Sequence, residues 1–278
     1  MIYKDLRKLS VALFAVSLIF SMCKNSNTIQ LRDGAALAFE NITFADTLFK
    51  GDNRSLDECK SMVDIDIEYP TENTFLGRSI REWIDSELFI YSQSILDSIP
   101  NEPSVYVRED IDGEKVVYFY GNEILKNLPH SQDSLESYST FTLRIKTIYE
   151  TEKLVTYQVD KDLYFAGGAH GVNSIYGITF RKSDGKIFDK HIVMTIPQTV
   201  LKRELKNYFG QTEENIEDIL FSPYIEMPER EPFFTKEGLM FIYQQYEIAP
   251  YVYGHPQFVL PYSEVEKYLT PPALNLIK

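Results

Sequence analysis

Four histidines, two cysteines and several runs of carboxylates are the groups in this 278-residue chain whose types suit catalysis or metal binding. His130, His170, His191 and His255 fall into no HExxH, H-x3-H or Cys–His spacing, so no metal ligands are assigned. Asp64, Asp66 and Glu68 alternate with apolar residues along one stretch. Acids spaced this way share one strand face and normally just meet water; a metal or acid–base site would need partners converging on them. The glycine loop Ala166-Gly167-Gly168-Ala169-His170-Gly171 lacks the GK[ST] ending of a phosphate loop, and no serine occupies a G-x-S-x-G elbow. No catalytic residue and no cofactor is assigned, and the expectation is a protein that is not an enzyme.

Two features remain as candidates for binding. His170 sits among Gly167, Gly168 and Gly171, which permit backbone shapes closed to other residues or let another segment approach closely. Its imidazole suits either a ligand contact or a backbone hydrogen bond that locks the loop at a junction between modules. Tyr246, Tyr251 and Tyr253, with Tyr243 and Tyr262 nearby, form the second feature. Tyrosine rings are enriched at interface hot spots, and these suit a half-exposed surface contacting a protein or a glycan. Packing between neighbouring elements is the competing use.

The elements that must position these residues are legible from periodicity. Val63, Ile65, Ile67 and Tyr69 alternate with the three acids, which predicts a strand over 61–69. Ile80, Ile84, Leu88, Tyr91 and Ile95 recur at intervals of three and four, predicting an amphipathic helix over 75–99 widened by Trp83 and Leu96. Residues 105–107 and 115–120 read as strands around the Asp110-Ile111-Asp112-Gly113 turn. Residues 138–149 and 153–165 read as a hairpin, with Phe141, Leu143 and Ile145 facing one way. Residues 176–180 form a further strand, turned at Ser183-Asp184-Gly185-Lys186. Thr195 and Gln198 have the spacing of a capping box, with Pro197 in the first turn, for a helix that Gly210 ends and whose core face carries Val200, Leu201, Leu205 and Tyr208. Thr212 caps a shorter helix. Pro232-Phe233-Phe234 and Leu239 to Tyr243 flank Thr235-Lys236-Glu237-Gly238 as a hairpin in which Gly238 can take a positive φ. A strand over 258–260 and a helix opened by a Ser263–Glu266 capping box follow. The fold class is α+β: two abutting modules, 61–182 and 183–270, each a mainly antiparallel sheet with one or two packed helices, and a tail over 271–278.

The N-terminus reads as an export signal over 1–22, with Lys4, Arg7 and Lys8 before an apolar run from Leu9 to Phe20 that is too short to span a bilayer. Phe20-Ser21-Met22-Cys23 is similar to a bacterial lipobox, departing from it at Met22, so Cys23 is the candidate for lipidation. Plain secretion or an uncleaved anchor are the alternatives, and a Cys23–Cys59 disulfide is the alternative pairing. Residues 23–60 then form a lipidated tether and an irregular segment containing weak strands around Leu37 to Phe49. Residues 1–22 carry three basic residues and Asp5, so their removal moves the net charge from −13 to −15. That balance argues against nucleic acid and is compatible with a cationic protein partner. The expected place is the cell envelope, with the membrane reached only through the lipid.

Three pieces taken together resemble a known family: Tyr164 to Gly171 (YFAGGAHG); the Ser183-Asp184-Gly185-Lys186 turn before an apolar-plus-helix segment; and Tyr246-Glu247-Ile248-Ala249-Pro250-Tyr251, then Gly254 and Val259-Leu260-Pro261-Tyr262. They are similar to the extracytoplasmic region of the RsiV-type lysozyme-sensing anti-sigma factors, over roughly residues 63–269. The N-terminal module is also found on PdaC-type peptidoglycan deacetylases. The resemblance implies an exported, non-enzymatic region that recognises lysozyme as a protein ligand. Only eight residues precede the apolar run, so sigma-factor control is not expected, and no deacetylase module follows Leu269. An envelope protein that binds or modifies peptidoglycan or polysaccharide is the alternative function.

Overall fold

The computed structural model describes residues 37–51, 59–96, 112–129, 138–188, 191–210 and 216–278. It is an α+β fold built on two sheets. The first sheet has five strands in sequence order: β1 (Phe39–Phe49), β2 (Cys59–Pro70), β3 (Ser139–Glu150), β4 (Leu154–Tyr164) and β5 (Val172–Arg181). All neighbours are antiparallel except β2 and β3. A parallel pair needs a long crossover, and α1 (Phe75–Leu96) and α2 (Gly113–Asn127) lie within it. Ile80, Ile84, Leu88, Tyr91 and Ile95 of α1 are buried against Val63, Ile65, Ile67 and Tyr69 of β2, as their periods require.

The acids on the other face of β2 do not simply meet water. Arg144 pairs with Asp64, the Lys146 ammonium lies 2.6 Å from Asp66, and Glu68 accepts a hydrogen bond from the Thr147 N–H at 2.8 Å. Strand β3 thus answers the acidic row of β2 with cations and a backbone donor.

One expectation fails in this part of the fold. Residues 115–120 are helical: Asp112 caps α2 by accepting from the Lys115 N–H at 3.1 Å, and Val116, Val117, Tyr120 and Ile124 bury one helical stripe. The β-branched and aromatic run favours a strand locally, but tertiary packing decides. Residues 105–107 lie outside the described residues. The strand expected around Leu37 to Phe49 is β1, which pairs with β2 from Phe39↔Pro70 to Phe49↔Cys59 with one register shift at Leu48/Phe49 and buries Ile42 and Phe44 in the first core. Cys59 is a buried thiol.

The second sheet is small: β6 (Phe233–Phe234), β7 (Gly238–Ile242) and β8 (Gln257–Pro261), all antiparallel. Around it pack α3 (Gln198–Phe209), the short α4 (Ile216–Ile219) and α5 (Tyr262–Val265), and α6 (Pro271–Ile277). The hairpin at Thr235 to Gly238 forms as expected, closed by the Thr235 N–H donating to the Gly238 carbonyl. Gly238 is not among the residues with positive φ. A Cβ there would stand 2.1 Å from the Leu260 carbonyl oxygen, so glycine lets β8 approach.

Neither expected capping box forms among the described residues. Pro197 and Pro261 occupy the N-cap positions without side-chain bonds. Gln198 reaches instead across to Ile225, donating to its carbonyl at 2.6 Å and accepting from its N–H at 2.9 Å. Gly210 does end α3, at φ 61°. Tyr208 faces outward rather than the core, because its hydroxyl donates to the Tyr253 carbonyl. Thr212 lies outside the described residues. Residues 271–278 are no loose tail: α6 buries Ala273 and Leu276 in the second core, and Lys153 donates to the Asn275 carbonyl.

Candidate functional site

The turn after β4 and the loop after β7 meet where the two sheets abut. Gly167 takes φ +82°, and a Cβ on Gly168 would lie 2.9 Å from the Phe165 carbonyl oxygen, so the loop folds back and presents His170. Its Nδ1 lies 2.9 Å from the Gly171 carbonyl, which can only accept, so Nδ1 carries the proton in the neutral ring. Nε2 is then free to accept from the Tyr246 hydroxyl at 3.3 Å. The ring stacks on Tyr251 with centroids 4.1 Å apart, and the Tyr251 hydroxyl donates to the same Gly171 carbonyl at 3.1 Å. Loop glycines and tyrosines separated by about eighty residues therefore form one aromatic cluster.

Tyr246 is 55% exposed and holds φ +65°. A left-handed conformation is unusual for a bulky residue and costs on the order of 1–3 kcal/mol. The turn imposes it: Glu247 accepts from the Gln244 N–H at 2.6 Å and from the Glu229 N–H at 2.7 Å, and burial pushes its carboxyl upward. Val172 and Val252, neighbours in sequence of Gly171 and Tyr251, are 54% and 82% exposed. The result is an uncovered aromatic and aliphatic patch.

Of the expected site residues, His170, Tyr246 and Tyr251 come together and Tyr253 does not. Its ring packs edge-on against Phe209 at 5.3 Å, beside Tyr208. Tyr243 is fully buried, contrary to a half-exposed role, with its hydroxyl donating to the Glu226 carbonyl. Cys23 and His130 lie outside the described residues. Among the described residues no His, Cys, Asp and Glu side chains gather to hold a metal.

The residues that lock the junction were not legible. Gln244 donates to the Ile175 carbonyl, and its oxygen accepts from the Ile175 N–H and the Ser174 hydroxyl. Gln245 accepts from the Asn173 N–H. Two side-chain amides thus act as a substitute strand on the outer edge of β5, and no local pattern marks a glutamine for that use.

His255 lies close by, 9% exposed, with neither ring nitrogen within hydrogen-bonding geometry of a partner among the described residues. Burial lowers its proton affinity below the ordinary 6.5, and the nearby Tyr243 backbone and the charge of Asp160 oppose this only in part. The unfolded chain therefore takes up this proton before the native one does, so the stability His255 contributes falls as pH drops below 6.5. Asp162 and Glu247, both raised, change stability in the opposite sense at lower pH. Subtracting a His255→Gln variant isolates the imidazole. The difference in melting temperature between the parent and this variant should shrink from pH 7 to pH 5; a constant difference refutes the assignment.

Among the described residues no helix is long and apolar enough to cross a membrane. Comparison with curated proteins returned no match. Two solved structures share the fold. A member of the DUF3298 family from Bacteroides fragilis NCTC 9343 is 20% identical with a TM-score of 0.61, covering 87% of this chain and 98% of its own. A DUF3298 family protein from Pseudomonas aeruginosa PAO1 is 17% identical with a TM-score of 0.53, covering 84% and 96%. Residues 189–263, which hold α3, the second sheet and the tyrosine loop, match the family described as "Protein of unknown function (DUF3298)".

Proposed function

We propose that this chain is an exported, envelope-anchored lipoprotein of the RsiV-like class that binds without catalysing, and that its ligand is a cationic protein such as a lysozyme. The observation that carries the reading is Tyr246, an exposed ring held in a left-handed conformation that glycine would occupy without strain. Strain kept at an exposed ring, where the only contacts are those of the His170 and Tyr251 cluster among the described residues, points to a side chain kept for contact. The net charge of −13 supports a cationic partner, since opposite fields raise association rates.

Binding of residues 24–278 to a panel of lysozymes, followed by biolayer interferometry, tests this. Association should slow with added salt. Tyr246→Gly should weaken binding by roughly 10-fold or more, as truncating a hot-spot tyrosine does. The same variant should leave the melting temperature unchanged or raised, because the backbone strain is relieved. A Tyr246→Gly protein that binds as tightly as its parent removes the patch from the interface. Absence of binding at micromolar lysozyme removes that ligand and leaves the glycan alternative for a polysaccharide screen.

A further inference from the structure

The outer edge of β5 is answered, by side chains or backbone, at every alternate residue from Asn173 to Thr179 except one. Residues 173, 175, 177 and 179 direct their backbone groups to the same side of the strand. Asn173 is met by Gln245, Ile175 by Gln244 on both groups, and the Thr179 carbonyl by the Phe188 N–H. Gly177, between them, has no hydrogen-bond partner on this edge among the described residues. It lines a groove of about 290 Å³ between β5 and the segment 229–233. The ring of Phe233 lies against its Cα, which leaves room beside it only for something small.

Arg230 lines the groove, and Lys161, which does not line it, stands near enough to feel the charge of Arg230. The Arg230 guanidinium lies 4.4 Å from the Tyr176 ring centre, and the Lys161 ammonium 4.7 Å from that of Tyr91. The two tyrosine hydroxyls are hydrogen-bonded at 2.7 Å. Among the described residues neither cation makes an ion pair. The nearby Glu87 accepts instead from the Tyr176 hydroxyl at 2.7 Å and from the Trp83 indole N–H at 3.0 Å. Burial and the charge of Arg230 both lower the proton affinity of Lys161, with Glu87 opposing. Glu229 and Glu231 also line the groove. Mixed signs disfavour a bare dianion and suit a monoanion carried on an amide backbone.

We propose that this groove binds the C-terminal end of an extended peptide: Gly177 pairs with the peptide backbone, and Arg230 takes the terminal carboxylate. Pairing with the one open position of an edge supplies main-chain bonds at Gly177, and the carboxylate fixes the register. The site is separate from the tyrosine patch and does not depend on a protein ligand binding there.

Trp83 is the only tryptophan and reports on this network through Glu87. Its emission should change saturably when acetyl-Ala-Ala-Ala with a free C-terminus is titrated into the protein, and calorimetry should give the same affinity. The C-terminal amide should bind about 10-fold or more weakly, and so should the free acid to an Arg230→Gln variant, since each removes a charge-assisted bond. Arg230 is exposed, and an unchanged melting temperature confirms that the variant is folded. Equal binding of acid and amide, inorganic phosphate binding as tightly as the peptide, or no saturable signal with the acid up to about 10 mM would each overturn the proposal.

Discussion

Glu150→Ala should destabilise the protein by about 3–5 kcal/mol, the usual cost of stranding one half of a buried ion pair. The Glu150 side chain is 2% exposed, and that of its partner Lys182 is 14% exposed. One carboxylate oxygen accepts from the Lys182 ammonium and also from the Leu37 N–H at 3.0 Å. This single group therefore ties the chain entering β1, the end of β3 and the residue just beyond β5. Removing it leaves a largely buried ammonium and a buried N–H without this acceptor. Against a total stability of roughly 5–15 kcal/mol the loss is large, and the urea midpoint should fall accordingly. Replacing both partners with apolar residues, Glu150→Leu with Lys182→Met, should recover most of the loss, because no charge then remains to be solvated. A single-variant loss below about 1 kcal/mol would mean that water reaches the pair.

Nothing in the sequence around Glu150 marks it, and the reason generalises. What was legible depended on residues close together in the chain. The alternation of β2 and the three-and-four spacing of α1 report burial directly, because each follows from the period of one element. The turn at Ser183 to Lys186 is likewise local, with Gly185 at φ +61°. Helix α2 departs from its local preference, because Val116, Val117, Tyr118, Phe119 and Tyr120 are strand formers taken singly. Their helical state follows from Asp112 at the cap and from Gly121, where a Cβ would fall 2.5 Å from the Phe44 ring. The capping boxes failed for a similar reason, since Gln198 found the backbone of Ile225, twenty-seven residues away, as its partner.

The candidate site divides along the same line. His170 in its glycine loop and the tyrosine-rich loop are each visible as composition, and the expected junction between modules brings them together. That Tyr251 joins His170 while Tyr253 turns toward Phe209 depends on the short 3-10 turn over Tyr251–Tyr253, which directs neighbouring rings to different sides. The clamp by Gln244 and Gln245 links residues about seventy apart, and only the assembled edge of β5 gives those amides their meaning.

Gly177 is where this packing between the sheets is least forgiving. A Cβ built there would lie 2.1 Å from Phe233 Cγ and 2.3 and 2.6 Å from its two Cδ atoms, against the ring itself rather than a flexible end. Phe233 is 2% exposed and paired through β6 to β7, so it cannot move aside without shifting the second sheet. Gly177→Ala should therefore cost about 1–3 kcal/mol, the range for overpacking a filled interior. The damage should be local at first: the Ile175 amide, held by Gln244, should exchange with solvent faster, while the Ile65 amide in the middle of β2 keeps the protection of global unfolding. Gly51→Ala, where a Cβ meets nothing within 4 Å, serves as the reference for the loss of glycine alone. Placing Phe233→Ala in the Gly177→Ala background separates two explanations. If the clash is the cause, the double variant should be more stable than the sum of its parts predicts, with a coupling of about 1 kcal/mol or more. Simple additivity would mean that glycine is required by the β5 backbone itself, and the contact with Phe233 would then be incidental to how the two sheets are joined.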